Sequence, residues 1–145
     1  VPATREEARD QCMAVVRDAA LLVPIGRRHV IYDSKAASKP SEDVESWLRV
    51  TLRHQGSGKR SLTGGLGTSR FERTATLTVQ VFVPNGDGMK EENRVVPLIR
   101  NALEGKTTLG GLQFLDVSAN EIGEDGPWWN TNVTARVVYD EFVST

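Results

Sequence analysis

Three features of the sequence predict an α+β domain with a mainly antiparallel sheet. Two segments carry apolar residues at helical spacing, at least three alternate with period two, and a glycine-rich stretch separates two of those alternating segments. Their order, helix, strand, long hairpin, helix, strand, strand, places two helices on one face of the sheet and leaves a long hairpin loop. The 145 residues amount to one ordinary domain, and residues 1–145 read as a single unit without repeat or linker.

The first helix runs from about Thr4 to Leu22. Thr4 and Glu7 fit a capping box, in which each side chain satisfies a backbone donor of the first turn. Ala8, Cys12, Val15, Val16, Ala19 and Leu22 form its apolar stripe, and Pro24 and Gly26 stop it. His29–Asp33 reads as a short strand. From Trp47 to His54, Leu48, Val50 and Leu52 point one way while Trp47, Arg49, Thr51 and Arg53 point the other. Residues 55–69 hold five glycines and three serines, so no packed element is expected there, and a loop of that length is usually functional or disordered.

Phe71–Pro84 is the clearest strand, with Ala75, Leu77, Val79, Val81 and Val83 on one face and threonines on the other. A second helix is expected over residues 89–104, kinked or started late by Pro97 and ended by Gly105 at the C′ position. Leu112–Val117 reads as a strand, Glu121–Pro127 as an acidic turn, and Trp128–Val143 as a last long strand.

Composition narrows the function. The 18 basic and 19 acidic side chains leave a net charge of −1, which argues against a dedicated duplex-DNA or membrane-surface binder. No apolar run approaches the ~18–20 residues of a membrane span, and no signal peptide is read, so a soluble, cytosolic domain is expected. Cys12 is the only cysteine, which rules out a disulfide framework and a cysteine zinc cluster.

Motifs for chemistry fail on inspection. Gly58-Lys59 lacks the glycine of a phosphate loop five positions earlier, where Arg53 stands, and has Arg60 in place of the magnesium-binding Ser or Thr. Gly65 and Gly67 lack the third glycine of a dinucleotide fingerprint. His29 and His54 are in no metal-ligand spacing. No catalytic residue, cofactor or metal is therefore expected. Trp128 and Trp129 point to opposite sides of one strand, so one of them is a candidate interface anchor.

Charge asymmetry is the feature that points to a partner. From Arg53 to Arg73 five bases stand against Glu72 alone, a net +4; from Glu104 to Asp125 five acids stand against Lys106 alone, a net −4. Opposite surfaces of this kind suit a head-to-tail contact between copies, which closes into a ring when the rotation permits.

Several segments together resemble a known family. Trp47-Leu48-Arg49-Val50, Gly67, Arg70-Phe71-Glu72-Arg73 and Val79-Gln80-Val81-Phe82-Val83-Pro84 with Gly86 and Gly88 form the first part. A helix, Gly110-Gly111-Leu112, then Asp125-Gly126-Pro127-Trp128-Trp129-Asn130-Thr131-Asn132-Val133 and Tyr139 form the second. In this order and spacing, over roughly residues 30–142, the chain resembles the tail terminator proteins of long-tailed bacteriophages. The resemblance implies a non-catalytic virion protein. It would form a hexameric ring at the head-proximal end of the tail tube, stop tube polymerisation and offer a surface for the head–tail connector. DNA would pass only transiently through the lumen, no membrane would be involved, and assembly would take place in the host cytoplasm. Candidate contacts to the tube or a neighbouring subunit are Lys59, Arg60, Arg70 and Arg73 on the basic side, and Glu121, Glu124, Asp125 and Trp128 on the other. The 55–69 loop is expected to order on assembly. Two other readings compete: another head–tail connector or tail-completion protein, and a small ligand-binding or enzymatic α+β domain, which would need a pocket of convergent polar groups.

Overall fold

The computed structural model describes residues 3–20, 30–32, 46–62, 68–84, 90–108 and 110–144. In chain order they form α1 (Arg5–Ala20), β1 (Val30–Tyr32), β2 (Trp47–Leu62), β3 (Thr68–Pro84), α2 (Lys90–Leu103), β4 (Gln113–Asp125) and β5 (Trp128–Ser144). The sheet runs β1-β2-β3-β5-β4. β1 is parallel to β2, and every other pairing is antiparallel. The fold is the α+β arrangement that the sequence predicts.

The centre of the sheet is the β3–β5 pair, whose register runs unbroken from Thr68 opposite Ser144 to Pro84 opposite Trp128. Alternation then assigns the faces. Ala75, Leu77, Val79, Val81 and Val83 of β3, Val133, Ala135, Val137 and Tyr139 of β5, and Leu48, Val50 and Leu52 of β2 are buried on one side. Both helices cover that side. Ala8, Cys12, Val16 and Ala19 of α1 and Val95, Val96, Ile99 and Leu103 of α2 join the same cluster, with Phe114 of β4. Burying each large aliphatic side chain contributes roughly 1.5–3 kcal/mol. Cys12 is part of this packing; burial pushes its thiol pKa up to about 12, against a weaker opposing pull from Arg9, which leaves it an inert thiol.

The opposite face is mostly polar, with Leu115 and Phe142 exposed on it, and a group of aromatics sits at one end. There Trp47 and Phe82 stack at 4.0 Å, Trp128 meets Trp47 edge-on at 6.2 Å, and the Arg49 guanidinium lies 5.4 Å over the Trp47 ring. These three aromatics form a second buried cluster. Trp128 is therefore a packing residue, and the interface anchor expected there is corrected: only 3% of it reaches solvent. Trp129, on the helix side, is half-buried against the main core.

The capping box is present in both halves. The Thr4 N–H donates to Glu7 Oε1 at 3.3 Å and the Glu7 N–H to Thr4 Oγ1 at 3.2 Å. Gly105, at φ 70°, occupies the C′ position after α2. Pro97 sits inside α2, which neither starts late nor breaks at it. Its missing N–H leaves the carbonyl of Asn93, four residues earlier, without its helical donor, and Asn93 is exposed, so water can take that place.

Two expectations are corrected. The segment at 55–69 is not a structureless loop: β2 continues to Leu62 and β3 begins at Thr68, and only 63–67 lie outside the described residues. Backbone pairing carries the glycines, helped by register shifts between His54 and Ser57 and between Lys59 and Ser61. The proposed ordering of this loop on assembly therefore lapses for its strand residues. Likewise Glu121, Glu124 and Asp125 are on β4, which extends to Asp125, and the turn is only Gly126-Pro127. Of the strand expected at His29–Asp33, Val30–Tyr32 is strand, and His29 and Asp33 lie outside the described residues.

Leu77→Ala, at the middle of β3, is expected to cost about 2–5 kcal/mol. Thr78→Ala, on the polar face beside it, is expected to stay within about 0.5 kcal/mol. Urea unfolding of the two variants checks the assignment of faces.

Candidate assembly surfaces

One end of β2, β3 and β5 meets the start of α1, and a corner forms there. The Ala3 N–H donates to the Asp140 carbonyl at 2.8 Å, which ties the chain to β5 just before the helix. This tether carries Arg5 over the helix-side face, where a pocket of about 370 Å³ is lined by Arg5, His54, Arg73, Tyr139 and Glu141, among others.

Each of these groups has a defined setting. Arg73 Nε donates to Glu141 Oε1 at 2.9 Å across the β3–β5 diagonal, and the Arg73 guanidinium lies 5.0 Å from the Phe71 ring. The Tyr139 hydroxyl lies 3.4 Å from His54 Nδ1, with the two rings edge-on. Burial, then the nearby Arg5 and Arg9 charges, lower the His54 pKa below its ordinary 6.5, so the imidazole is neutral at pH 7. Burial raises the Tyr139 pKa first, and the Glu141 charge raises it further. No hydrogen bond or ion pair holds Arg5 among the described residues. On the opposite face, Arg70 donates to Asp140 at 2.6 Å.

The basic candidates thus divide. Arg70 and Arg73 are each held by a carboxylate of β5, so they present less net charge than the sequence count suggests. Lys59 and Arg60 lie on the β2 arm, Lys59 opposite Phe71 of β3. Sequence reasoning did not find the corner itself. His54, Arg73 and Tyr139 alternate into the helix-side face in a readable way, but only strand register and the Ala3 tether bring them to Arg5.

The acidic candidates gather at the other end. Glu121 pairs with Thr131, Gly123 with Asn130, and Glu124 with Trp129, so Ile122 is the extra residue of a bulge. Residues three apart in a regular strand face opposite ways; the bulge returns Glu124 to the same face as Glu121. Both carboxylates lie on the helix side and are exposed. Asp125 pairs with Trp128 at the end of the strand.

Behind them, Glu92 of α2 is only 5% exposed, and its Oε1 accepts a hydrogen bond from Thr131 Oγ1 at 3.2 Å. Burial raises the Glu92 pKa, the Glu121 charge adds to that, and the Thr131 hydrogen bond works against it. Among the described residues, five buried polar atoms at the same end of the sheet have no hydrogen-bond partner: Ser46 Oγ, Trp47 Nε1, Trp129 Nε1, Asn130 Oδ1 and Asn132 Oδ1.

Among the described residues, no group of three or more His, Cys, Asp or Glu could hold a metal ion. No helix there is long and apolar enough to cross a membrane.

No family model matches the chain, and no curated protein matches it. Two solved structures are similar along nearly the whole length. One, described without a function, has a TM-score of 0.63 at 12% identity and covers 94% of this chain and 96% of its own. The other belongs to the virion of a native gene transfer agent particle, with a TM-score of 0.48, 17% identity and 91% of each chain covered. The first likeness shows a shared fold alone; the second is too distant to carry an argument.

Because the folded-state pKa of Glu92 is raised, its charged form costs stability, and that cost is lost as the pH falls through the raised value. Glu92→Gln is therefore expected to be more stable than the wild type at pH 7, with the gap closing as the pH falls toward the ordinary carboxyl value of 4.5. Urea midpoints at both pH values measure this, and a constant gap contradicts it.

Proposed function

We propose that this chain is a structural phage protein, a tail terminator that forms a hexameric ring on the head-proximal end of the tail tube. It stops polymerisation there and receives the head–tail connector; it performs no catalysis. The observation that carries the reading is the ordered set of segments that resembles the terminator family. The strand portions Trp47–Val50, Arg70–Arg73, Val79–Pro84 and Trp128–Val133 lie on the three adjacent strands β2, β3 and β5. Trp47, Phe82 and Trp128, distant in sequence, meet in one cluster. A set of residues that packs together is better support than the same residues scattered over unrelated surfaces.

Two further features favour it. Opposite charge sits at opposite ends of the sheet, which suits head-to-tail association. The net charge of −1 suits a lumen that lets DNA pass, because a ring that neutralised many phosphates would grip it.

Electron microscopy of particles assembled without this protein tests the reading. Overlong or irregular tails beside unjoined, DNA-filled heads are expected. Tails of normal length that fail to join heads would assign it to the connector or completion proteins. Intact virions would leave only a likeness of fold. In the same assay, the double reversal Lys59→Glu with Arg60→Glu is expected to fold normally and to weaken tail joining; unchanged joining counts against a contact on the β2 arm.

A further inference from the structure

The corner pocket and the acidic strand are two halves of one contact, an inference that rests on the ring reading above. Arg73 and Glu141 neutralise one another in the corner, and Arg5, with no ion pair among the described residues, adds positive charge to it. His54 is neutral, and in the tautomer whose Nδ1 accepts from the Tyr139 hydroxyl its Nε2 N–H is a donor. At the other end, Glu121 and Glu124 stand on one face with no hydrogen bond or ion pair among the described residues. The buried Glu92 carboxylate lies close enough to feel the Glu121 charge.

These ends cannot meet within one molecule. Along β5 the acidic pair sits at Trp129 and Thr131 and the corner at Tyr139, a separation of roughly 30 Å at ~3.3 Å per residue. We propose that the Arg5–His54–Tyr139 corner of one subunit receives the Glu121 and Glu124 carboxylates of a second copy. Repeated head to tail, such a contact generates a ring or a helix; made twice between the same two copies, it would close a two-fold dimer instead. The Ile122 bulge is what makes it possible, because it alone places both carboxylates on one face.

Charge reversal tests the contact on the full chain. Arg5 is the first residue of α1, where an acidic side chain is favourable to the helix, so Arg5→Glu is expected to fold. Sedimentation velocity at low salt, with thermal midpoints as the folding control, reads the association. The expected result has three parts. Arg5→Glu weakens self-association at least tenfold, Glu121→Arg with Glu124→Arg does the same, and mixing the two variants recovers it. A well-folded Arg5→Glu chain that assembles like the wild type overturns this contact and leaves the ring reading intact. So does a mixture of the two variants that recovers nothing. A wild type that does not associate at any concentration, alone or on added tail tubes, overturns both the contact and the ring reading.

Discussion

The register of β3 against β5 is the constraint on which the other placements depend. All of Thr68–Pro84 lies opposite Trp128–Ser144 without a shift. Because side chains alternate with period two, a slip of β3 by one residue would send Leu77 and Val79 to solvent and bring Thr76 and Thr78 into the core. The cost of burying those polar groups locks the register. Once it is locked, the helices have one apolar face to cover. The aromatic cluster of Trp47, Phe82 and Trp128 is then confined to one end of the other face.

Irregularity is concentrated in the outer strands. β2 shifts register between His54 and Ser57 and again before Ser61, and β4 shifts between Leu115 and Ser118 and at Ile122. Asp116, in the first β4 shift, adopts φ 53°, and its carboxylate receives Arg136 Nε at 2.9 Å. Bulges twist an edge and discourage further strands from pairing with it. Acidic side chains along β4 add to that protection. Edges guarded this way disfavour extension of the sheet, which is compatible with the proposed contact made by carboxylates and a polar corner.

The two ends also differ in how well they are satisfied. The corner holds the Arg73–Glu141 pair, Arg70 and Asp140 pair on the opposite face, and Arg5 has no ion pair among the described residues. The acidic end has a buried carboxylate, two exposed ones and several orphaned polar atoms.

The sequence by itself determined the fold class, the two helices with their caps, and the inward face of each core strand. Those features follow from local periodicity and capping, which need no knowledge of distant partners. Arg70, Arg73, Glu121 and Glu124 were legible as charges in the same way. Tertiary structure alone decided that Arg70 and Arg73 are already paired, that the glycine-rich 55–62 segment is strand, and that Trp128 is buried. It also decided that Arg5, His54 and Tyr139 share a corner. The physical reason is that backbone hydrogen bonding to a neighbouring strand overrides weak local propensity. Glycine and serine read as loop in isolation; opposite Arg70–Arg73 of a β3 already fixed against β5, their backbone groups find partners, and the hairpin extends. The position of a side chain relative to one nearly 70 residues away is set by that pairing, and no local pattern encodes it.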